Sequence, residues 1–188
     1  LTCAEATLRA AALAVQRYAV VLDLDAGDER FASRTTVEFH ALADGVRTWV
    51  DVKAVQLHEV RLDGIPVDRG GWRDGRLELP ALSAGAHTLS VDATMAYRRD
   101  GSGLHRAVDP ADGEAYVYAQ SFLDYAPAVF ACFDQPDLKA SISLRVHAPT
   151  HWTILGNGAA THLGDGDWEL EPTRPISTYL FTVCGGPF

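Results

Sequence analysis

The sequence predicts an all-β protein: an antiparallel β-sandwich with a short N-terminal helix and a second short helix near residues 124–132. Three observations carry this. Apolar and polar residues alternate with period two in one short run after another. Gly, Pro and Asp punctuate those runs at close spacing. Helix signals are confined to the first 14 residues and to a segment beginning at residue 124. Tight turns imply antiparallel pairing, because parallel strands need long crossovers.

Taken in order, Thr2 followed by Glu5 is a capping box that opens an Ala-rich helix running to about Ala14. Its apolar residues are mostly Ala, so it should lie on the surface. In residues 17–25, Tyr18, Val20, Leu22 and Leu24 share one face; in 33–41, Thr35, Val37, Phe39 and Ala41 do. Residues 46–52 and 55–62 follow the same rule, with a parity switch near His58-Glu59 that predicts a bulge or a sharp twist. Asp63-Gly64 is a hairpin turn. A short strand is expected at 76–79. Residues 87–97 alternate without fault, with Leu89, Val91, Ala93, Met95 and Tyr97 pointing one way. Residues 98–115 read as one long irregular stretch, which in a compact domain is functional or packs on a neighbour. Strands at 141–148, 152–155, 167–171 and 178–184 complete the set.

At 188 residues the chain fits one domain, residues 1–188. The hydrophobic fraction of 47% against 22% charged supports a substantial core and argues against disorder. A net charge of −9 disfavours a nucleic-acid groove and an anionic membrane surface. The longest apolar stretch, near residues 10–15, is too short to span a bilayer. No basic segment precedes it as in a signal peptide. The chain opens on Leu1 rather than Met, which fits a trimmed sequence. Three cysteines, Cys3, Cys132 and Cys184, cannot all pair, and reduced thiols in a cytoplasmic protein are the expectation.

The motifs of common chemistry are absent. No P-loop and no G-x-S-x-G elbow occurs. His58-Glu59 lacks a second histidine at zinc-ligand spacing, and Pro149 separates His147 from His151. No metal site is expected from this chain alone. Asp134, Asp137 and the acidic run 165–171 read as turn and cap residues rather than paired catalytic carboxylates.

Two segments are distinctive: Gly103-Leu104-His105-Arg106-Ala107-Val108-Asp109-Pro110-Ala111-Asp112-Gly113 and Val129-Phe130-Ala131-Cys132-Phe133-Asp134-Gln135-Pro136-Asp137-Leu138-Lys139-Ala140. With Ala148-Pro149-Thr150-His151-Trp152 and the closing Gly185-Gly186-Pro187-Phe188, they resemble the N-terminal domain of the aminopeptidase N family of zinc metallopeptidases, in its actinobacterial, cytoplasmic type. The resemblance runs in order along essentially the whole chain. It implies a saddle-shaped β-sandwich that covers a catalytic domain. Zinc, the H-E-x-x-H helix and the G-x-M-E-N motif belong to that second domain, and none of those motifs occurs here. The expected reading is a non-catalytic domain, excised or a natural short homologue, with no cofactor of its own. Its partners would be the catalytic domain and peptide substrates. The alternative is a stand-alone or inactive-homologue module that binds peptides, proteins or sugars, motivated by four tryptophans, Trp49, Trp72, Trp152 and Trp168.

The resemblance also implies that one loop reaches the active site with a Gln lining the first substrate pocket and, two residues on, a Glu that binds the substrate's ammonium. A poorly solvated carboxylate pairs strongly with one positive charge. Gln120 matches the Gln, but Phe122 stands at the Glu position, with Asp124 two residues further. Three readings follow: the amine is anchored elsewhere, Phe122 lines an apolar specificity pocket, or the parent protein is a weakened homologue.

Overall fold

A computed structural model describes all 188 residues. The helix α1 (Cys3–Ala12) starts where the sequence says it should. The Thr2 hydroxyl accepts the Glu5 amide at 3.2 Å, and the Glu5 carboxylate accepts the Thr2 amide at 2.6 Å. It stops at Leu13, which already has extended backbone and begins β1 (Leu13–Asp23). The helix is not docked through alanines: its one buried side chain is Arg9.

Strands then follow as β2 (Arg30–Ala41), β3 (Trp49–Asp51), β4 (Gln56–Leu62), β5 (Ile65–Pro66), β6 (Arg76–Glu78), β7 (Gly85–Ala96), β8 (Gly103–Val108) and β9 (Ala115–Gln120). After them come β10 (Ser141–His147), β11 (Thr153–Gly156), β12 (Ala160–Gly164), β13 (Asp167–Leu170) and β14 (Val183–Gly186). The strands form an eight-stranded sheet in the order β12-β13-β10-β1-β2-β7-β4-β5, a four-stranded sheet β11-β14-β9-β8 and a small β3-β6 pair. The fold is all-β and sandwich-like, with no closed barrel. The predicted bulge lies in β4, where the register against β7 shifts between Leu57 and Glu59. Asp63 and Gly64 both take positive φ (52° and 79°), as a tight β4–β5 hairpin requires.

Four expectations need correction. Pairing is not antiparallel throughout: β1 runs parallel to β10, Tyr18 opposite Ile142 and Val20 opposite Leu144. The residues between those strands supply the long crossover that such a pair needs. The stretch 98–115 is not irregular, because it holds β8, which pairs antiparallel with β9 across the turn from Asp109 to Glu114. The segment 178–184 is split into a 3-10 turn (Thr178–Leu180) followed by β14. The predicted helix near 124–132 is only a 3-10 turn, Ala126–Ala128. Pro127 lacks an amide donor, and the chain beyond it pairs elsewhere: Cys132 exchanges backbone bonds with Asp51, and the Lys53 amide donates to the Pro127 carbonyl.

That segment passes through the core, with every residue from Ala126 to Phe133 buried. Phe130 packs on Phe181 (4.8 Å between centroids) and edge-on to Tyr18 (5.8 Å), and Phe133 packs on Phe39 (5.0 Å). Burying such rings removes about 150–250 Å² each from water, the dominant stabilising term here. The buried Tyr18 hydroxyl accepts the Phe133 amide, and burial pushes the phenol well above its ordinary range. Gly185 and Gly186 in β14 admit neighbours closely. A Cβ on Gly186 would lie 2.5 Å from the Tyr116 ring, and one on Gly185 2.9 Å from Ile154.

Candidate functional site

The loop that the resemblance singles out leaves the end of β9. Gln120 pairs with Gly103 at the strand's last position. Alternation turns Val117 and Ala119 inward and Tyr118 and Gln120 outward. Gln120 is exposed, and its side chain makes no hydrogen bond. Ser121 is buried, with a hydroxyl that has no partner. Phe122 and Leu123 then swing outward, 55% and 58% exposed. The Phe122 ring meets Tyr179 edge-on at 6.0 Å. Leu123 and Asp124 both take positive φ, 38° and 73°. Such backbone costs of order 1–3 kcal/mol per non-glycine residue and persists only where the surroundings hold it.

Lys53 holds it. Its ammonium donates to the Asp124 carbonyl at 2.6 Å and to the Asp124 carboxylate at 2.8 Å, and it lies 5.6 Å from the centre of the Tyr125 ring. Asp124, the acid nearest the position where the resemblance expects a glutamate, is therefore already engaged. The rim of the loop is apolar, made of Phe122, Leu123 and Tyr179.

Two hollows flank the loop. The larger, about 850 Å³, is walled by charged groups that include Asp51, Lys53, Arg73, Arg76, Asp124 and Asp134. The smaller, about 190 Å³, lies among Leu1, Leu123, Asp124, Asp134, Pro136 and Tyr179. Asp134 borders both. Its carboxylate accepts the Thr178 hydroxyl at 2.6 Å, and burial raises its pKa above the ordinary carboxylate value despite that bond. Its amide donates to Asp51 at 3.0 Å. Asp51 is the hub of the wall. It accepts from Arg9 Nη1 (3.1 Å) and Trp49 Nε1 (2.9 Å), and Arg76 Nε lies 3.6 Å away. Arg9 and Arg76 both stack on Trp49, at 4.4 and 4.6 Å. Arg9 also donates to Gln135, whose amide reaches the Ala6 carbonyl in α1. An Ala-rich helix is thus fixed to the sandwich by the buried Arg9–Asp51 pair, its arginine side chain 2% exposed, by Gln135 and by the pair of Glu5 with Arg76 at 3.1 Å.

No nucleophile–base pair is assembled on these walls. No group of three or more His, Cys, Asp or Glu side chains converges to hold a metal ion. The residues here do not fit a zinc centre. His147 faces Asp167, His151 faces Glu114 and His58 faces Thr94. The tryptophans do not form a sugar platform either. Trp152 is buried, Trp49 lies under its two arginines, Trp72 donates to the Val52 carbonyl and Trp168 stacks on His162 at 4.6 Å. All three thiols are free. No helix is long and apolar enough to cross a membrane.

Sequence reasoning named Gln120, Phe122 and Asp124, and the structure places all three on one margin of the four-stranded sheet. It missed Lys53, Arg9, Asp51 and Thr178. No local signal marks them: Lys53 lies 71 residues from Asp124, and Arg9 lies 42 residues from Asp51.

Known proteins resemble this chain along most of its length. The family model described as the peptidase M1 N-terminal domain matches residues 14–180. Aminopeptidase N of Streptomyces lividans is 41% identical over 191 residues, covering all of this chain and 22% of the relative. A probable aminopeptidase of Sulfurisphaera tokodaii is 25% identical over 93% of this chain and 22% of its own length. A probable M1 family aminopeptidase of Encephalitozoon cuniculi is 34% identical over 59% of this chain and 13% of its own. The chain thus spans about a fifth of the length of the two relatives that it matches almost throughout.

Proposed function

The chain belongs to the peptidase M1 N-terminal domain family, and on that premise we propose that it is the non-catalytic N-terminal domain of a zinc-dependent aminopeptidase. In this reading it packs on the catalytic domain and lends the loop 120–125 to the pocket that receives the substrate's N-terminus. The parent removes N-terminal amino acids from peptides, its zinc lies outside this chain, and free thiols fit a cytoplasmic setting.

The observation that carries the reading is the outward face of the four-stranded sheet. Thr153 and Leu155 of β11, Cys184 and Gly186 of β14, Tyr116, Tyr118 and Gln120 of β9, and His105 and Ala107 of β8 point the same way. None of them is Lys, Arg, Asp or Glu. Leu155 and Tyr118 are 52% and 42% exposed. An uncharged, partly aromatic face of this kind marks a surface that another domain covers. The loop 120–125 emerges from its margin, where a covering domain would meet substrate.

Within this reading Gln120 lines the first pocket and Phe122 replaces a carboxylate at the ammonium. With Asp124 held by Lys53, the loop contributes an apolar rim, and the amine is anchored by the catalytic domain. The test is kinetic. The 188-residue chain should not cleave aminoacyl-anilides with or without added zinc, whereas the parent polypeptide should. Phe122→Glu in the parent should raise kcat/KM on small aminoacyl substrates by about 10-fold or more, since a buried charge left without its partner costs on the order of 2–5 kcal/mol. Zinc-dependent cleavage by the chain alone would sink the proposal, and so would indifference of the parent to both Phe122→Glu and Phe122→Ala.

A further inference from the structure

We propose that Lys53 is the positioning residue of the loop 121–125: it locks the loop's left-handed turn and so sets the rim that carries Phe122. The inference rests on the reading that this loop borders the substrate pocket.

Lys53 is itself held rigidly. It follows β3, its amide donates to the Pro127 carbonyl at 2.7 Å, and the preceding Val52 amide donates to the Gly75 carbonyl at 2.7 Å. Its stem passes over Gly75, where a Cβ would lie 2.9 Å from the Lys53 Cγ. A glycine there serves two ends, since Gly75 also has φ +75°. The ammonium then reaches three parts of the loop: the Asp124 carbonyl, the Asp124 carboxylate and the Tyr125 ring. Arg98 lies against the same ring at 5.5 Å.

An exposed ion pair alone contributes little, and the Asp124 carboxylate is well exposed. What distinguishes this contact is the bond to the main-chain carbonyl of a residue whose φ is +73°, next to a leucine at +38°. Leucine gains nothing from that conformation, so an outside group must hold it. The clamp thereby fixes the shape of the rim that carries Phe122.

The experiment uses Lys53→Met and Lys53→Arg in two settings. In the 188-residue chain, the strong intraresidue amide–Hα NOE that marks positive φ at Leu123 and Asp124 should weaken in Lys53→Met. It should persist in Lys53→Arg, whose guanidinium can still donate to both oxygens. In the parent polypeptide, Lys53→Met should raise KM for aminoacyl-anilides by about 3–10-fold with kcat unchanged, and Lys53→Arg should stay within about twofold of the starting value. An unaltered turn in Lys53→Met overturns the clamp. A loosened turn with unchanged KM overturns the positioning role. In that case, a KM change in Phe122→Ala would show that the loop still borders the pocket, and an unchanged one that the loop reading itself has failed.

Discussion

The two larger sheets turn opposite kinds of surface outward. On the eight-stranded sheet the outward positions carry ion pairs that step across the strands. Arg17 meets Glu38, Arg34 meets Asp92 at 2.9 Å, Arg145 meets Glu169 at 2.7 Å, and His147 meets Asp167 at 2.8 Å. Arg61 and Glu59 add a pair along β4. On the four-stranded sheet the equivalent positions carry Tyr116, Tyr118, Leu155, Cys184 and His105, with no ion pair among them. Both sheets obey the same alternation, so the pattern of period two reveals only which side is core. The chemistry of the other side is what differs, charged on one sheet and uncharged on the other, and the uncharged one is the face that the proposed function gives to a neighbour.

The most forceful way to break this contrast is to place a charge on each face. Leu155→Lys in the 188-residue chain should change stability by no more than about 0.5 kcal/mol, because the side chain is half exposed. In the parent polypeptide it should cost about 2 kcal/mol or more, since the ammonium would be buried without a partner. Ala19→Lys, at an outward position of β1, should stay within about 0.5 kcal/mol in both settings. Urea titration of the four proteins decides the matter. Equal penalties for Leu155→Lys and Ala19→Lys in the parent would mean that the uncharged face is not covered.

A second test sharpens the contrast at a pair beside the large sheet whose histidine is buried and whose aspartate stays open to solvent. His87, at the start of β7, is buried, with Nδ1 2.7 Å from the Asp63 carboxylate and Nε2 2.8 Å from the Ser83 carbonyl. Phe39 packs on the ring at 5.5 Å. Both nitrogens face acceptors, so the doubly protonated ring is the form that satisfies both. Burial works against that charge, but the bonds to Ser83 and Asp63 outweigh it and raise the pKa above 6.5. Asp63, which also accepts the Thr88 amide, is shifted down from 3.8. The sign follows. The His87 contribution is complete below pH 6.5 and is lost as pH rises through the raised folded value, while that of Asp63 is lost only as pH falls through its lowered one. His87→Leu should therefore cost about 1–3 kcal/mol at pH 6 and distinctly less at pH 9, read from urea midpoints. A penalty that does not vary with pH would show that His87 is held neutral.

These cases also show what was legible beforehand. The capping box at Thr2, the alternation of β7, the bulge at His58 and the Asp63-Gly64 turn were readable, because each is set by residues within a few positions. The parallel pairing of β1 with β10 was not, because register between distant segments leaves no local trace. β8 shows no core stripe in the sequence, because it is an edge strand on which Gly103 has no side chain, only Leu104 packs inward as an apolar residue, and His105 and Arg106 are half-buried. At the site, family resemblance named Gln120 and Phe122, whereas the charged groups Lys53, Asp51 and Arg9 meet their partners only in the folded chain.

The smallest expected effect lies on the solvated face, and it is informative for being small. Arg145 donates from both Nε and Nη2 to one oxygen of Glu169, with both side chains roughly half exposed or more. Exposed pairs of this kind contribute about 0.2–1 kcal/mol, because Coulomb attraction in water is weak and two long side chains lose freedom to hold it. A double-mutant cycle with Arg145→Ala and Glu169→Ala should return a coupling in that range, and raising the salt to 0.5 M should halve it or more. Covering the face would change both results, because a pair shut away from water is screened far less. A coupling above about 2 kcal/mol in the parent polypeptide, insensitive to salt, would place a neighbour on the eight-stranded sheet and reverse the assignment of the two faces.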